Sequence, residues 1–389
     1  MPALTDARAK RLRRALLEWF DANRRDLPWR HRRSAYSVWL SEVMLQQTRA
    51  DVVVPYYRRF LARFPTIAAL AESPVDDVLA AWSGLGYYRR ARFLHAGAQA
   101  VMRERGGRLP RRREQLETIP GIGEYTAAAI ASIAFGTPVA ALDANVTRVL
   151  SRVFAIEGDV AGGAARTALR ELAARFVDPQ RPGDCNEAMM DLGAGICTAR
   201  GPSCTLCPLA RLCEAAQREC PEDYPKRRAR KPARRVRLAM AVVRGRSGAR
   251  SNVLFVRRGD REELMPGMWD LPSVEACGDE DPLPQLREQV RSGSGMRVDL
   301  HGPVATVRHA IVGRNIVVDV YVASASGARI ATHRTPDAAA SGNGRRDAEF
   351  FEEQEWKMLA VSSLPLKVLR AAGEVRSGRA APPVQPPRR

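Results

Sequence analysis

The sequence predicts a mainly α-helical N-terminal region followed by a smaller α+β domain. Up to about residue 222, apolar residues recur at the spacing of amphipathic helices. One such stripe consists of Leu12, Leu16, Leu17, Trp19 and Phe20. After a basic, proline-bracketed segment the pattern changes to short apolar runs that are typical of strands. At 389 residues the chain is long enough for two or three domains, each with its own core.

These patterns divide the chain into four segments. They are a helical region at 1–222 that includes a cysteine loop at 197–213, a basic linker at 223–236, an α+β domain at 237–372, and a disordered tail at 373–389. Helices are expected at 5–22, 34–47 and 53–64, with 27–30 ending the first of them. Strands are expected at 238–244, 253–257, 304–310 and 316–322, a helix near 364–372, and a flexible insertion at 330–348.

The charge balance points to a polyanionic partner. The formal net charge is +19, and arginine supplies most of the positive charge. Nucleic acid is the first candidate for such a basic chain, and the alternative is that arginine richness reflects coding bias. No run of 18 apolar residues is present, the N-terminus lacks a secretory pattern, and the seven cysteines do not resemble a secreted disulfide framework. We therefore expect a cytoplasmic protein.

A glycine hairpin is the clearest local motif. In IPGIGEYTAAAI (119–130), Pro-Gly-x-Gly stands between helix-forming stretches, which predicts helix, tight turn, helix. Gly121 and Gly123 let the backbone approach a ligand, and free N–H groups at the start of the next helix suit a phosphate. The alternative is an ordinary turn between two helices. A second glycine turn at 84–90 carries Tyr87 and Tyr88, which either stack on bases or belong to the core.

Two carboxylates have the surroundings that acid–base chemistry needs. Glu42 has Val38, Trp39 and Leu45 as helical neighbours, so desolvation should raise its pKa and suit it to act as a general acid. The alternative is an exposed glutamate at the edge of an amphipathic helix. Asp143 stands where the N-cap of a helix belongs, and most aspartates there only cap. Backbone N–H bonds would also keep its carboxylate ionised, able to stabilise a developing cation.

Four cysteines form the pattern C-x6-C-x2-C-x5-C. Cys197, Cys204, Cys207 and Cys213 lie within 17 residues, which is a metal-site signature. The spacing departs from the paired CxxC of zinc ribbons, so an iron–sulfur cluster is preferred to zinc. Cys185, Cys220 and Cys277 lie outside the pattern and are interpreted as plain thiols.

In combination, these motifs resemble those of the MutY-type adenine DNA glycosylases, members of the helix-hairpin-helix superfamily of base-excision enzymes. The resemblance rests on WLSEVMLQQT (39–48), GLGYYRRAR (84–92), the hairpin, LDANVTRVL (142–150) and the cysteine loop, and it covers about the first 220 residues. The C-terminal part resembles that family's Nudix-like lesion-recognition domain through LMPGMWDLP (264–272). The glutamate-rich box of Nudix hydrolases is absent from the sequence.

The resemblance implies removal of adenine mispaired with 8-oxoguanine or guanine in duplex DNA during base excision repair. Glu42 would protonate adenine at N7, Asp143 would stabilise the oxocarbenium ion, and Tyr125 and Asn145 would support these two carboxylates. The four cysteines would hold a [4Fe-4S] cluster, and the protein would act as a monomer associated with the nucleoid. The positions that match DNA- or lesion-contacting residues are Arg30, Gln47, Thr48, Tyr87, Gly121, Gly123, Arg308 and His309.

Tyr125 separates two enzymatic interpretations. Endonuclease III relatives carry at this position a lysine that forms a Schiff base and cuts the strand, whereas this hairpin contains no lysine. The resemblance therefore implies a monofunctional glycosylase, with a glycosylase/AP lyase as one alternative and a non-catalytic DNA-binding module as another.

The sequence departs from the family pattern at two places. Ala144 replaces the glycine of Leu-Asp-Gly-Asn, and Val307-Arg308-His309 replaces the Phe-Ser-His of the lesion-contact loop.

Overall fold

The computed structural model describes residues 4–226, 232–247, 250–259, 262, 265–276, 280–311, 313–325, 348–356 and 359–373. It divides into two compact units, one of Met1–Val78 with Arg89–Arg230 and one of Leu79–Tyr88 with Lys231–Arg389. The division at residue 230 falls inside the segment interpreted as a linker, although the first strand begins within that segment, at Arg234. Nothing in the sequence pattern indicates that Leu79–Tyr88 groups with the second unit.

The first unit is helical. Its helices are α1 (Asp6–Asn23), α2 (Pro28–His31), α3 (Ala35–Leu45), α4 (Ala50–Arg63), α5 (Ile67–Glu72), α6 (Val75–Ala81, which continues into the second unit), α7 (Arg89–Arg105), α8 (Arg113–Leu116), α9 (Glu124–Ile133), α10 (Ala144–Val153), α11 (Gly163–Phe176), α12 (Pro182–Gly195) and α13 (Glu214–Gln217). Short 3₁₀ turns follow at Cys204–Leu206, Ala210–Leu212 and Pro221–Asp223.

The helix boundaries have local causes. The side chains of Thr5, Ser34 and Asp143 accept backbone N–H bonds at the starts of α1, α3 and α10. Two expectations were wrong. Residues 27–30 do not end the first helix, because Pro28 starts a separate turn, α2. The helix expected at 34–47 stops at Leu45, and Gln47 has a left-handed backbone with φ of 56°.

One core cluster of the first unit joins α1, α10, α11 and α12. Its fully buried members include Leu12, Leu16, Phe20, Phe154 and Leu192. Helix α9 packs against both α3 and α12, and α12 packs against α10. Helices α3, α9, α10 and α12 therefore lie side by side, and they carry the functional side chains.

The second unit contains a mixed sheet. The strands are β1 (Arg234–Ser247), β2 (Arg250–Arg257), β3 (Trp269–Asp270), β4 (Ser273–Glu275), β5 (His301–Ile311), β6 (Arg314–Ser324) and β7 (Ala348–Glu352), in the order β3-β2-β1-β6-β5, with β4 on β1 and β7 on β2. Only β1 and β6 pair in parallel among the described strands, from Arg234 opposite Arg314 to Arg244 opposite Ser324. The four long strands extend beyond the predicted ranges, and β3, β4 and β7 were missed.

Helices cover both faces of this sheet. α15 (Glu353–Trp356) and α16 (Ser363–Ala371) pack with one face, in a core that includes Met240, Val242 and Phe255. α14 (Leu283–Ser294), which was not predicted, packs with the alternate residues Ala239, Ala241 and Val243 on the other face. The α+β class is confirmed.

The expected insertion at 330–348 and the tail at 373–389 lie almost entirely outside the described residues. Within the described residues, no helix is long and apolar enough to cross a membrane.

Candidate active site and cysteine centre

Glu42 is a buried carboxyl group in the middle of α3. The residue is 4% exposed, and the helix residues from Tyr36 to Met44 around it are buried too. The hydroxyl group of Tyr125, on α9, donates a hydrogen bond to Glu42 Oε2 at 2.5 Å. Burial raises the pKa of Glu42 to about 7, although the Tyr125 bond lowers it. The prediction of a raised pKa is confirmed, and the alternative of an exposed glutamate is wrong.

Charged residues on α2 and α12 surround Glu42. Glu187 and Asp143 raise the pKa of Glu42 by repulsion, whereas the guanidinium of Arg30 lowers it. The Arg30 side chain is 9% exposed, and it donates to Glu187 Oε1 at 2.9 Å and to Asp191 Oδ2 at 2.8 Å. The structure therefore places Arg30 in an ion-pair network next to the site, and its expected contact with DNA stays a prediction.

Asp143 is the N-cap of α10. Its Oδ1 accepts from the backbone N–H of Val146 at 2.6 Å, and its Oδ2 accepts from the side-chain amide of Asn145 at 2.9 Å. These bonds lower the pKa of Asp143, but burial outweighs them, so the pKa lies above its ordinary value. The predicted cap is confirmed. The backbone N–H bond that was expected to favour the ionised carboxylate is present, and the ionised state itself stays a prediction.

Tyr125 and Asp143 also line a common cleft of about 430 Å³. Three arginines reach the carboxylate of Glu124 beside this cleft. Arg170 approaches to 2.5 Å, Arg113 to 3.5 Å and Arg166 to 3.9 Å. The cleft therefore has a catalytic-type carboxyl on one wall and positive charge at Arg166 and Arg170 on another.

The two hairpin glycines have different roles. Gly121 has φ of 81°, and an added Cβ would lie 2.6 Å from Cβ of Phe93, so this position requires glycine for the turn and for packing against α7. Gly123 is the N-cap of α9, has open space where a Cβ would be, and provides no side-chain cap. The first N–H groups of α9 are thus left without a capping side chain, which is the arrangement that binds phosphate.

The loop after α3 is shaped by Arg90, a residue that the sequence analysis missed. Arg90 is buried, and its Nη1 donates to the carbonyls of Val43, Met44 and Gln46, while its Nη2 donates to Thr48 Oγ1 at 3.2 Å. Thr48 is thereby held in the loop, and Gln47 is exposed.

The paired tyrosines of the second glycine turn have different environments. Tyr88 is buried and its hydroxyl accepts from the backbone N–H of Gly84, so it is a core residue. Tyr87 is 43% exposed and has φ of 50°. A left-handed backbone is unusual for a non-glycine residue and is concentrated at functional sites. Among the described residues it occurs at Gln47 and Tyr87, which the resemblance assigns to the DNA, and also at Ala155, Glu219 and Met265, to which the resemblance assigns no role.

Val307-Arg308-His309, which the resemblance matches to a lesion-contact loop, lies in strand β5, and this agrees with the strand expected at 304–310. Arg308 pairs opposite Val317 and is exposed, and His309 pairs opposite Ile316. Nδ1 of His309 lies 3.3 Å from Nζ of Lys367, which donates to it. Partial burial and the Lys367 charge lower the pKa of His309. The turn that follows β5 comes only after Ile311.

The four predicted cysteines line one small cavity, and neither Cys185 nor Cys220 lines it. Burial raises the pKa of Cys204 and Cys213 and raises that of Cys207 to about 12. No three His, Cys, Asp or Glu side chains of the described residues are close enough to hold a single metal ion. Cys277 lies outside the described residues. Four cysteine thiols that line one cavity are a donor set that suits a metal centre.

Arg148 joins the cysteine loop to the carboxyl site. Its Nη2 donates to Asn145 Oδ1 at 2.8 Å and its Nε to the carbonyl of Cys197 at 2.8 Å. Asn145 in turn donates to Asp143, so hydrogen bonds run from the cysteine loop to the capping carboxylate. Arg148 and Glu187 were both missed, because in a chain with this many arginines nothing in the sequence distinguishes a bridging charge from a solvated one.

Comparison with known proteins identifies the family. Residues 40–175 match the family model described as HhH-GPD superfamily base excision DNA repair protein. An adenine DNA glycosylase of Rattus norvegicus is 35% identical over 94% of this chain and 78% of its own length. The chain belongs to the adenine DNA glycosylase family. A Homo sapiens adenine DNA glycosylase is 40% identical, over 67% of this chain and 57% of its own length.

The fold of the helical unit has a solved counterpart. The structure of a thermostable thymine-DNA glycosylase matches with 32% identity and a TM-score of 0.50, over 56% of this chain and all of that one. The family resemblance drawn from the hairpin, the cysteine loop and the stretches around Glu42 and Asp143 is thereby confirmed, together with the helix-hairpin-helix fold of the first unit.

Proposed function

We propose that this chain is a monofunctional adenine DNA glycosylase that excises adenine opposite 8-oxoguanine or guanine from duplex DNA. The observation that carries the proposal is the buried Glu42 carboxyl, with a pKa of about 7 and a hydrogen bond from Tyr125. With a pKa of about 7, about half of the Glu42 carboxyl groups are protonated at neutral pH. Glu42 can therefore donate a proton to a leaving base. Membership of the adenine DNA glycosylase family supports adenine as that base.

The two carboxyl groups divide the chemistry. Glu42 gives its proton to N7 of adenine, and the C1′–N9 bond breaks with its electron pair moving to the base. The sugar becomes an oxocarbenium ion, which Asp143 stabilises when ionised. Water then adds at C1′ and releases a proton to solvent. Asn145, bonded to Asp143 Oδ2, holds that carboxylate in position.

DNA binding involves the exposed loops and the hairpin. Extrusion of the adenine costs a few kcal/mol, and Gln47 and Tyr87 offset part of that cost by occupying the opened stack. The exposed backbone of Gly123 and the uncapped start of α9 bind a backbone phosphate. Arg308 is exposed on β5 and contacts either the lesion or a phosphate.

The cysteine centre holds a [4Fe-4S] cluster in this proposal. Cys197, Cys204, Cys207 and Cys213 are its ligands, and when bound it cross-links the loop through four iron–thiolate bonds. Tetrahedral zinc needs sulfurs about 3.8 Å apart, given Zn–S bonds of about 2.3 Å. The C-x6-C-x2-C-x5-C spacing, which departs from the paired CxxC of zinc ribbons, favours the cluster. The fixed loop then positions Arg148, which bonds to the Cys197 carbonyl and supports Asn145.

The substitution Glu42→Gln tests the assignment. It keeps the shape and the Tyr125 hydrogen bond but removes the proton donor, so single-turnover excision should fall by about 10²–10⁴-fold. Affinity for a duplex with an A:8-oxoguanine pair should stay within about threefold of wild type, because Glu42 is buried. Glu18→Gln, an exposed carboxamide on α1, is the matched control. Excision at the wild-type rate by Glu42→Gln would rule out Glu42 as the acid.

A further inference from the structure

Arg152 is a fully buried arginine next to the cysteine centre. It lies in the last turn of α10, is 2% exposed, and directs its guanidinium toward the cysteine loop. Nη1 lies 3.2 Å from Sγ of Cys197 and donates to the carbonyl of Thr198 at 2.7 Å. Nε donates to the carbonyl of Tyr224 at 3.1 Å, and Nη2 reaches the carbonyl of Ala199 at 3.5 Å.

The positive charge of Arg152 has no carboxylate partner among the described residues: no ion pair joins it to an Asp or Glu within 4.0 Å. By contrast, the Arg30 side chain, which is 9% exposed and lies near the carboxyl site, pairs with both Glu187 and Asp191. A buried charge is strongly disfavoured unless an opposite charge lies near it. Carbonyl dipoles and a neutral thiol offset this only in part, whereas a tetrathiolate [4Fe-4S]²⁺ centre carries a net charge of about −2.

We propose that Arg152 is the counter-cation of the cysteine centre and that it sets the midpoint potential of the bound cluster. The inference rests on the [4Fe-4S] assignment made above. Because the cation lies against Cys197 Sγ in a water-poor site, it stabilises the more negative, reduced form of the cluster relative to the oxidised form. Loss of this charge therefore lowers the potential and makes the cluster easier to oxidise.

The position of the charge distinguishes Arg152 from other arginines of the loop. Arg211 lies in the same cysteine loop but is exposed, so water and salt screen its field at the cluster. Arg211→Gln removes the same formal charge from the neighbourhood and is the matched control for Arg152→Gln. Arg152→Lys keeps the buried positive charge but replaces the planar guanidinium donors with an ammonium group. This variant therefore distinguishes the effect of the charge from the effect of the hydrogen-bond geometry.

The test is voltammetry of the purified, DNA-free, full-length protein, with iron and sulfide analysis of each variant. At the wild-type midpoint, Arg152→Gln should shift the oxidised-to-reduced ratio at least tenfold toward oxidised, which is 59 mV for one electron. Arg152→Lys should stay within about threefold and Arg211→Gln within about twofold. A cluster-loaded Arg152→Gln protein with the wild-type potential would overturn the inference.

Two further outcomes are decisive. If Arg152→Gln does not fold with its cluster, Arg152→Lys carries the test: an unchanged potential and full iron content support the charge role. Loss of the cluster from Arg152→Lys would instead show that hydrogen-bond shape matters, and the inference would fail. Iron-free, colourless wild-type protein would refute the cluster assignment itself, which is a different result from a loaded cluster with an insensitive potential.

Discussion

The carboxyl group of Glu42 affects both the reaction and the stability of the fold. It is buried in α3 with one hydrogen bond, from Tyr125, and its pKa is about 7. An ordinary glutamate has a pKa of 4.5, so folding favours the protonated form. The unfolded chain binds fewer protons between these two values, and the stability contributed by the neutral carboxyl is lost as the pH rises through about 7. Catalysis and stability therefore share one titration.

The pH dependence of excision should report this titration. If protonated Glu42 is the acid, the single-turnover rate falls about tenfold per pH unit above pH 7. Tyr125→Phe removes the hydrogen bond that lowers the pKa of Glu42, so the alkaline limb should move to higher pH. Rates measured from pH 5.5 to 9 for both proteins check this. A limb that does not move would separate Tyr125 from the ionisation of Glu42.

Glu42→Gln should stabilise the protein at alkaline pH. A shift from 4.5 to about 7 corresponds to at most about 3 kcal/mol of unfolding free energy at pH 8, and to under about 1 kcal/mol at pH 5. Urea unfolding at the two pH values measures the difference, with Glu18→Gln as the exposed control. An equal effect at both pH values would contradict a raised pKa in the folded state.

The residues that carry chemistry were predictable from sequence to different degrees. Glu42 was predictable because three apolar helical neighbours implied desolvation, and Asp143 because a cap precedes an amphipathic helix. The partners Glu187, Arg148 and Arg90 were not predictable, since each contacts a residue that is distant in the sequence and that only the fold brings close. The DNA contact expected of Arg30 stays a prediction.

At the scale of elements, α10 connects the two centres. Asp143 caps it, Asn145 and Arg148 follow in its first turns, and Arg152 lies in its last turn. Asn145, Arg148 and Arg152 recur at intervals close to the helical repeat. Their hydrogen bonds connect the cap residue Asp143 to the cysteine loop within this one helix.

The hairpin allows a matched pair of substitutions. Gly121→Ala must adopt a left-handed backbone and displace Phe93, so we expect destabilisation by about 1–3 kcal/mol. Gly123→Ala has room and an ordinary φ of −91°, so it should cost about 1 kcal/mol or less and mainly weaken DNA binding. Thermal unfolding and DNA titrations of both variants check this. Equal destabilisation would contradict the difference in packing.

Strand pairing was the part of the fold least accessible from sequence. The alternation of apolar residues predicted the four long strands, but their lengths depend on partners, as in the 11-residue parallel ladder between β1 and β6. β3, β4 and β7 are too short to have a recognisable period, and they exist because β1 and β2 offer them hydrogen bonds.

At the scale of the whole molecule, the net charge of +19 should govern DNA affinity. Contacts between arginines and phosphates release counterions, so affinity for duplex DNA should fall at least about a hundredfold between 50 and 200 mM salt. Fluorescence anisotropy with a duplex that lacks a mispair measures the effect. A change below about threefold would mean that most of the charge lies away from the DNA.

The most direct test of the central claim is single-turnover excision on duplexes with one adenine opposite either 8-oxoguanine or guanine, read with and without alkali. We expect strand breaks at that adenine only after alkali on both duplexes, no borohydride-trapped adduct, and loss of cleavage in Glu42→Gln. The ratio of the two rates then measures how far the second unit, including Arg308, discriminates the lesion. Breaks without alkali, or intact DNA under both conditions, would contradict a monofunctional adenine glycosylase.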